Sequence, residues 1–145
     1  MTKGINDMVH KITLMEAYLI ETLLKKDIPK EVIITTIQNE RAEDFQHLHD
    51  QFDFTELYQI VDILEPILEE GYQIKFLTLP GLINMLQLKL KKEENVDYNR
   101  DGNVISKLKL DEREKEILQT FLSPNWTMKE DQAGTVLQPV HSLHE

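Results

Sequence analysis

The sequence predicts a mainly α fold of about five helices with one β-hairpin, and three observations carry that expectation. Apolar residues recur at three- and four-residue spacing through most of the first 122 positions, the period of an amphipathic helix. Acidic residues stand three apart ahead of two of those stretches, Asp53 with Glu56 and Asp111 with Glu114, the pattern that satisfies the free N–H groups of a first turn. Asp101-Gly102, set between alternating segments, marks the hairpin. Residues 1–122 then form a single helical domain with the hairpin at 95–110, and 123–145 a loosely held tail.

The first helix is expected over 6–26, with Asn6 as cap and Met8, Val9, Ile12, Met15, Leu19 and Leu23 on its apolar side. Leu14, Tyr18, Ile20 and Leu24 broaden that side, which suits a core position or the interface of a homodimer. A second helix starts near Asp27-Ile28-Pro29 and runs through Ile33, Ile34 and Ile37 toward Phe45 and Leu48. Its β-branched run 32–37 is also compatible with a strand; the continuing three-to-four spacing favours helix. The third helix, capped at Asp53, carries Leu57, Ile60, Val61, Leu64, Ile67 and Leu68 and ends at Gly71, with Pro66 bending its last turn. Tyr72–Phe76 alternates and is a candidate for a short third strand. The fourth helix opens at Thr78-Leu79-Pro80 with Leu82, Ile83, Leu86 and Leu90 inward. The fifth runs from Asp111 through Ile117, Leu118, Phe121 and Leu122 to a stop at Ser123-Pro124-Asn125. Trp126 is a candidate anchor of the tail to the body or to a partner, with the body favoured. No internal repeat is visible in the sequence.

With 145 residues, 41% hydrophobic and 29% charged, the chain is long enough for one real core and too ordinary for wholesale disorder. It has no cysteine, which excludes disulfides and thiolate metal sites and fits a cytoplasmic location. The polar start carries no signal peptide and no stretch reads as a membrane span. A net charge of −10 argues against phosphate binding, yet it is unevenly spread. Residues 1–74 carry 6 basic and 15 acidic side chains, residues 75–109 carry 7 and 4, and residues 110–145 carry 3 and 7. One basic island lies inside an acidic chain.

That island holds Asp97-Tyr98-Asn99-Arg100-Asp101-Gly102, which has the opening ligands and glycine of an EF-hand calcium loop. The twelfth position, where a bidentate Glu belongs, is Leu108. The next helix cap, Asp111, also comes too late. A hairpin explains more: Ser106-Lys107-Leu108-Lys109-Leu110 alternates strictly, and Val96-Asp97-Tyr98 can lie opposite. No metal or cofactor is therefore expected. His47 and His49, two apart on a helix, would point about 200° from each other, and His141 and His144 fall in the tail.

The segment Leu77–Leu122, about a third of the chain, resembles the wing region of winged-helix transcription regulators of the MarR and SarA type. Lys91-Lys92-Glu93-Glu94, Arg100-Asp101-Gly102-Asn103-Val104-Ile105 and Leu110–Leu118 carry the resemblance. It implies a winged-helix-like arrangement in which helix 79–92 enters the major groove of duplex DNA, with Asn84 and Gln87 on base edges. Lys89, Lys91 and Lys92 would then hold phosphates, Arg100 at the wing tip would reach the minor groove or backbone, and Lys107 would lie on the wing strand. Helices 6–26 and 111–122 would build the homodimer. Two non-catalytic functions follow as expectations. One is a dimeric DNA-binding transcription regulator. The other is an acidic helical protein-interaction module (inhibitor, immunity or adaptor protein) that faces a basic partner with its 40–70 region and binds no DNA.

Overall fold

The computed structural model describes residues 9–140, and the chain falls into two compact units, Met1–Tyr72 and Gln73–Glu145. The first unit is helical apart from the short strand β1 (His10–Ile12). Thr13 starts α1 (Leu14–Lys25) with a full capping box: Glu16 N–H donates to Thr13 Oγ1 at 3.1 Å and Thr13 N–H to Glu16 Oε1 at 2.9 Å. The helix expected from residue 6 thus begins at Leu14, and its expected cap, Asn6, lies outside the described residues. Of its broad apolar side, Leu19, Ile20 and Leu23 are buried together with Ala17; Leu14, Tyr18 and Leu24 are half-buried, and Met15 is exposed.

The β-branched run forms α2 (Lys30–Gln38), but the helix stops well before Leu48. Glu40 adopts a left-handed φ of 59°, which turns the chain out of the helical path. Ala42–Leu48 and Phe54–Ile63 are 3₁₀ helix, and α3 is only Leu64–Glu70. The third helix expected from Asp53 is therefore interrupted twice, by a kink at Ile60 (φ −119°, ψ 21°) inside the 3₁₀ stretch and at Ile63 (φ −115°, ψ 8°), after which α3 begins. Pro66 explains the interruption at Ile63, because it lacks an N–H and clashes in a continuous helix with the carbonyl four residues back, that of Asp62. It is tolerated as the third residue of a new helix and not inside a continuous one. Asp53 still caps, accepting from Thr55 N–H at 3.1 Å, and Gly71 (φ 97°) still ends the element. Side chains stitch the 3₁₀ stretches together. Ala42 N–H donates to Tyr58 Oη at 2.9 Å, and Phe54 meets Phe45 edge-on with ring centroids 6.0 Å apart.

The second unit is α+β. Strand β2 (Tyr72–Ile74), which begins at the boundary, leads to α4 (Leu79–Leu90). A hairpin follows, β3 (Asn99–Asp101) and β4 (Val104–Leu108), then α5 (Glu112–Phe121). A second hairpin, β5 (Trp126–Asp131) and β6 (Gly134–Pro139), completes it. The strands make one antiparallel sheet in the order β3-β4-β6-β5. This overturns the mainly α, one-hairpin, winged-helix-like expectation. The segment read as a tail supplies half the sheet, and β4 is hydrogen-bonded on both sides where a wing would stand free. A helix followed by a hairpin occurs twice, with the two second strands, β4 and β6, side by side at the sheet centre.

Three local devices set this geometry. Thr78 caps α4 by accepting from Gly81 N–H at 3.0 Å, and Asp111 with Glu114 forms the expected capping box of α5 at 2.8 and 3.0 Å. In the first hairpin Asp101 pairs with Val104, so the loop is Gly102-Asn103 and not Asp101-Gly102. Gly102, with φ 64°, provides the left-handed first residue that a two-residue loop demands. Along β4, Ile105 pairs with Leu137 and Leu108 with Thr135. Three steps therefore oppose two, a bulge carried by Lys107 at φ 56°. Gly134 packs against the bulge so closely that a Cβ would lie 2.9 Å from the Leu108 carbonyl oxygen.

The C-terminal hairpin is fastened by polar side chains around Leu77. Leu77 N–H donates to Ser123 Oγ at 3.0 Å, and Ser123 Oγ is paired in turn with Asn125 Oδ1. Asn125 Nδ2 and Trp126 Nε1 both donate to the Leu77 carbonyl at 2.9 Å. Gln73 Nε2 adds a bond of 2.9 Å to the Leu122 carbonyl. The expected role of Trp126 as an anchor to the body takes this form.

In the first unit the Tyr72 hydroxyl donates to Glu21 Oε2 at 2.6 Å, with both residues buried. Burial first, and then the Glu21 carboxylate, holds the phenol well above its ordinary 10.0. A group whose folded titration lies above its unfolded one adds stability that is complete below about pH 10 and is lost as pH rises through the folded value. Tyr72→Phe is accordingly expected to cost about 1–3 kcal/mol at neutral pH, because Glu21 loses a donor, and to flatten the decline of urea midpoints expected for the wild type at alkaline pH. Equal alkaline slopes in both proteins would remove Tyr72 as the cause.

In the sheet, Gly102→Ala is expected to cost about 1–2 kcal/mol from its φ alone, since nothing lies within 4 Å of the added methyl. Gly134→Ala is expected to cost more, because backbone blocks its methyl; the order of the two melting temperatures is the check. Asn125→Asp, which turns the donor facing Leu77 into a second acceptor, is expected to lower stability by about 1–3 kcal/mol, measured by urea titration.

Candidate functional site

On α4 the outward stripe is Pro80, Asn84, Gln87 and Lys91, spaced four, three and four residues apart, so all sit on one helix face. Leu82, Met85, Leu86 and Leu90 are buried opposite. The expected contact residues Asn84 and Gln87 are thus exposed and adjacent, with Lys91 (φ 60°) continuing the stripe at the left-handed cap. Lys89 is half-buried beside it.

The remaining cations do not converge on that stripe. Lys92 Nζ lies 3.1 Å from Glu114 Oε1, the same carboxylate oxygen that closes the capping box of α5, so it works as a brace between loop and helix. Arg100 stands directly opposite Ile105 in the β3–β4 ladder. Opposed residues project to the same side of a sheet, and Ile105 is fully buried. Arg100 therefore leaves the sheet on its core side, at the edge, where Nε meets both oxygens of Glu94 at 3.3 and 3.4 Å. The hairpin tip itself, Gly102-Asn103, carries no cation. Lys107 is exposed, aimed by the bulge, and without an ion pair among the described residues.

The calcium-like segment is equally committed. Asp97 accepts from Glu93 N–H at 2.8 Å through its side chain and from Lys109 N–H at 3.1 Å through its carbonyl. It closes the loop after α4, and its carbonyl bond to Lys109 is its one backbone contact, among the described residues, with the 106–110 segment it was expected to face, the regular β3–β4 ladder starting at Asn99. Among the described residues no group of three or more His, Cys, Asp or Glu is placed to hold a metal ion. His49 is stacked on Phe52 at 3.9 Å, and its Nδ1 accepts from Gln51 N–H at 3.3 Å, while His47 is exposed. His141 and His144 lie outside the described residues.

The strongest electrostatic feature belongs to the first unit. Between residues 40 and 70 stand ten Asp and Glu against one Arg, and every one of the ten except Glu56 is exposed. The single cation, Arg41, is itself held by Asp44 at 3.2 Å, the carboxylate raising its pKa. In contrast, the second unit carries 10 basic and 11 acidic side chains and is nearly neutral.

Tyr98 was missed by sequence reasoning as a special residue. It is 2% exposed, and its hydroxyl is buried without a hydrogen-bond partner among the described residues. Burial, then Glu94, raises its pKa, while Arg100 opposes them. No signal in the sequence distinguishes it from an ordinary packed tyrosine. No helix among the described residues is long and apolar enough to cross a membrane. No family model, curated protein or solved structure matches the chain.

Because its hydroxyl lacks a partner, Tyr98→Phe is expected to leave stability unchanged or raise it by up to about 1 kcal/mol. A loss beyond about 1 kcal/mol on thermal unfolding would mean the hydroxyl has a partner in solution.

Proposed function

We propose that this chain is a non-catalytic regulatory protein that acts by binding, with the acidic 40–70 surface of its first unit docking a basic protein partner. The observation that carries this reading is the exposure of nine carboxylates within that stretch, opposed by a single, already paired arginine. Crowding like charge on one small unit destabilises it by self-repulsion. The same field speeds the approach of a positive partner and rejects negative ones. The carboxylates are solvent-facing and the helical core beneath them is complete without them, which suits recognition better than packing.

A second reading, contact with DNA through α4, rests on the Asn84–Gln87–Lys91 stripe. It is the weaker of the two, because Arg100 and Lys92 are engaged with Glu94 and Glu114 and the surrounding unit has no basic excess.

One experiment separates them. The whole chain and a Glu65→Lys, Glu69→Lys, Glu70→Lys variant are immobilised and exposed to cell lysate at low and high salt. In parallel, both are titrated against a random-sequence duplex. The protein-partner reading expects a stoichiometric basic protein on the wild type, weakened at least about tenfold by salt or by the charge reversals. It expects no retardation of the duplex. Recovery of no stoichiometric protein at low salt would overturn it, and retardation that Gln87→Ala with Lys91→Ala abolishes would establish the DNA reading instead.

A further inference from the structure

No further inference is drawn: the strongest candidate, the outer edge of β5 in the four-stranded sheet, has no partner strand among the described residues but ends in the guarding charges Lys129, Glu130 and Asp131, and nothing in the structure shows what covers it.

Discussion

The second unit depends on how the backbone of Leu77 is held. Its N–H and its carbonyl are both satisfied by side chains from Ser123, Asn125 and Trp126, in a region where Leu77, Ser123 and Trp126 are all buried. Leaving such groups unpaired would cost more than the bonds themselves contribute, so the loop ahead of α4 and the stretch after α5 can only be ordered together. From that joint the rest follows. Trp126 becomes the first residue of β5, β6 returns beside it, and β4 gains its second neighbour. The bulge at Lys107 and the close seat of Gly134 against it then fix how the two hairpins meet.

The first unit is organised differently. Short helices and two 3₁₀ stretches are gathered around Phe54, Leu57, Ile33, Ile37 and the buried face of α1, and nearly all the charge is pushed outward. Its carboxylates have few cations to meet, whereas four in the second unit pair with neighbouring cations: Glu114 with Lys92, Glu94 with Arg100, Glu112 and Glu130 with Lys115. Charge in the second unit serves the local architecture. In the first it is left to solvent and to whatever approaches, and the proposed function rests on that contrast.

Local signals were legible where the chemistry was local. The capping box at Asp111, the cap at Asp53, the stop at Gly71, the helix in the β-branched run 32–37 and the strand after Gly71 all appear where the sequence placed them. The structure departs from the local signals at three places. Trp126–Asp131 contains two apolar residues and three charges, a weak pattern because an edge strand needs few inward side chains. Its hairpin is stabilised by pairing with β4, across more than twenty residues of chain. Pro66 does not bend one long helix; its missing N–H separates the 3₁₀ stretch from α3. A turn at Asp101-Gly102 would set Arg100 at the hairpin tip; with the loop one residue later, at Gly102-Asn103, Arg100 instead pairs with Ile105 and shares its side of the sheet.

The sequence by itself determined the helix caps, the turn glycines, the amphipathic faces and the uneven charge, because each is settled within a few residues by backbone hydrogen bonding, backbone torsion or solvation. The tertiary structure decided that the fold is α+β, that Arg100 and Lys92 are braces, and that the apparent tail is half of a sheet. Those outcomes turn on partners far apart in the chain: Leu77 with Trp126, β4 with β6, Lys92 with Glu114. A strand has no stability until its neighbour is present, so the short alternation in Gly134–Pro139 becomes a strand only beside β4 and β5.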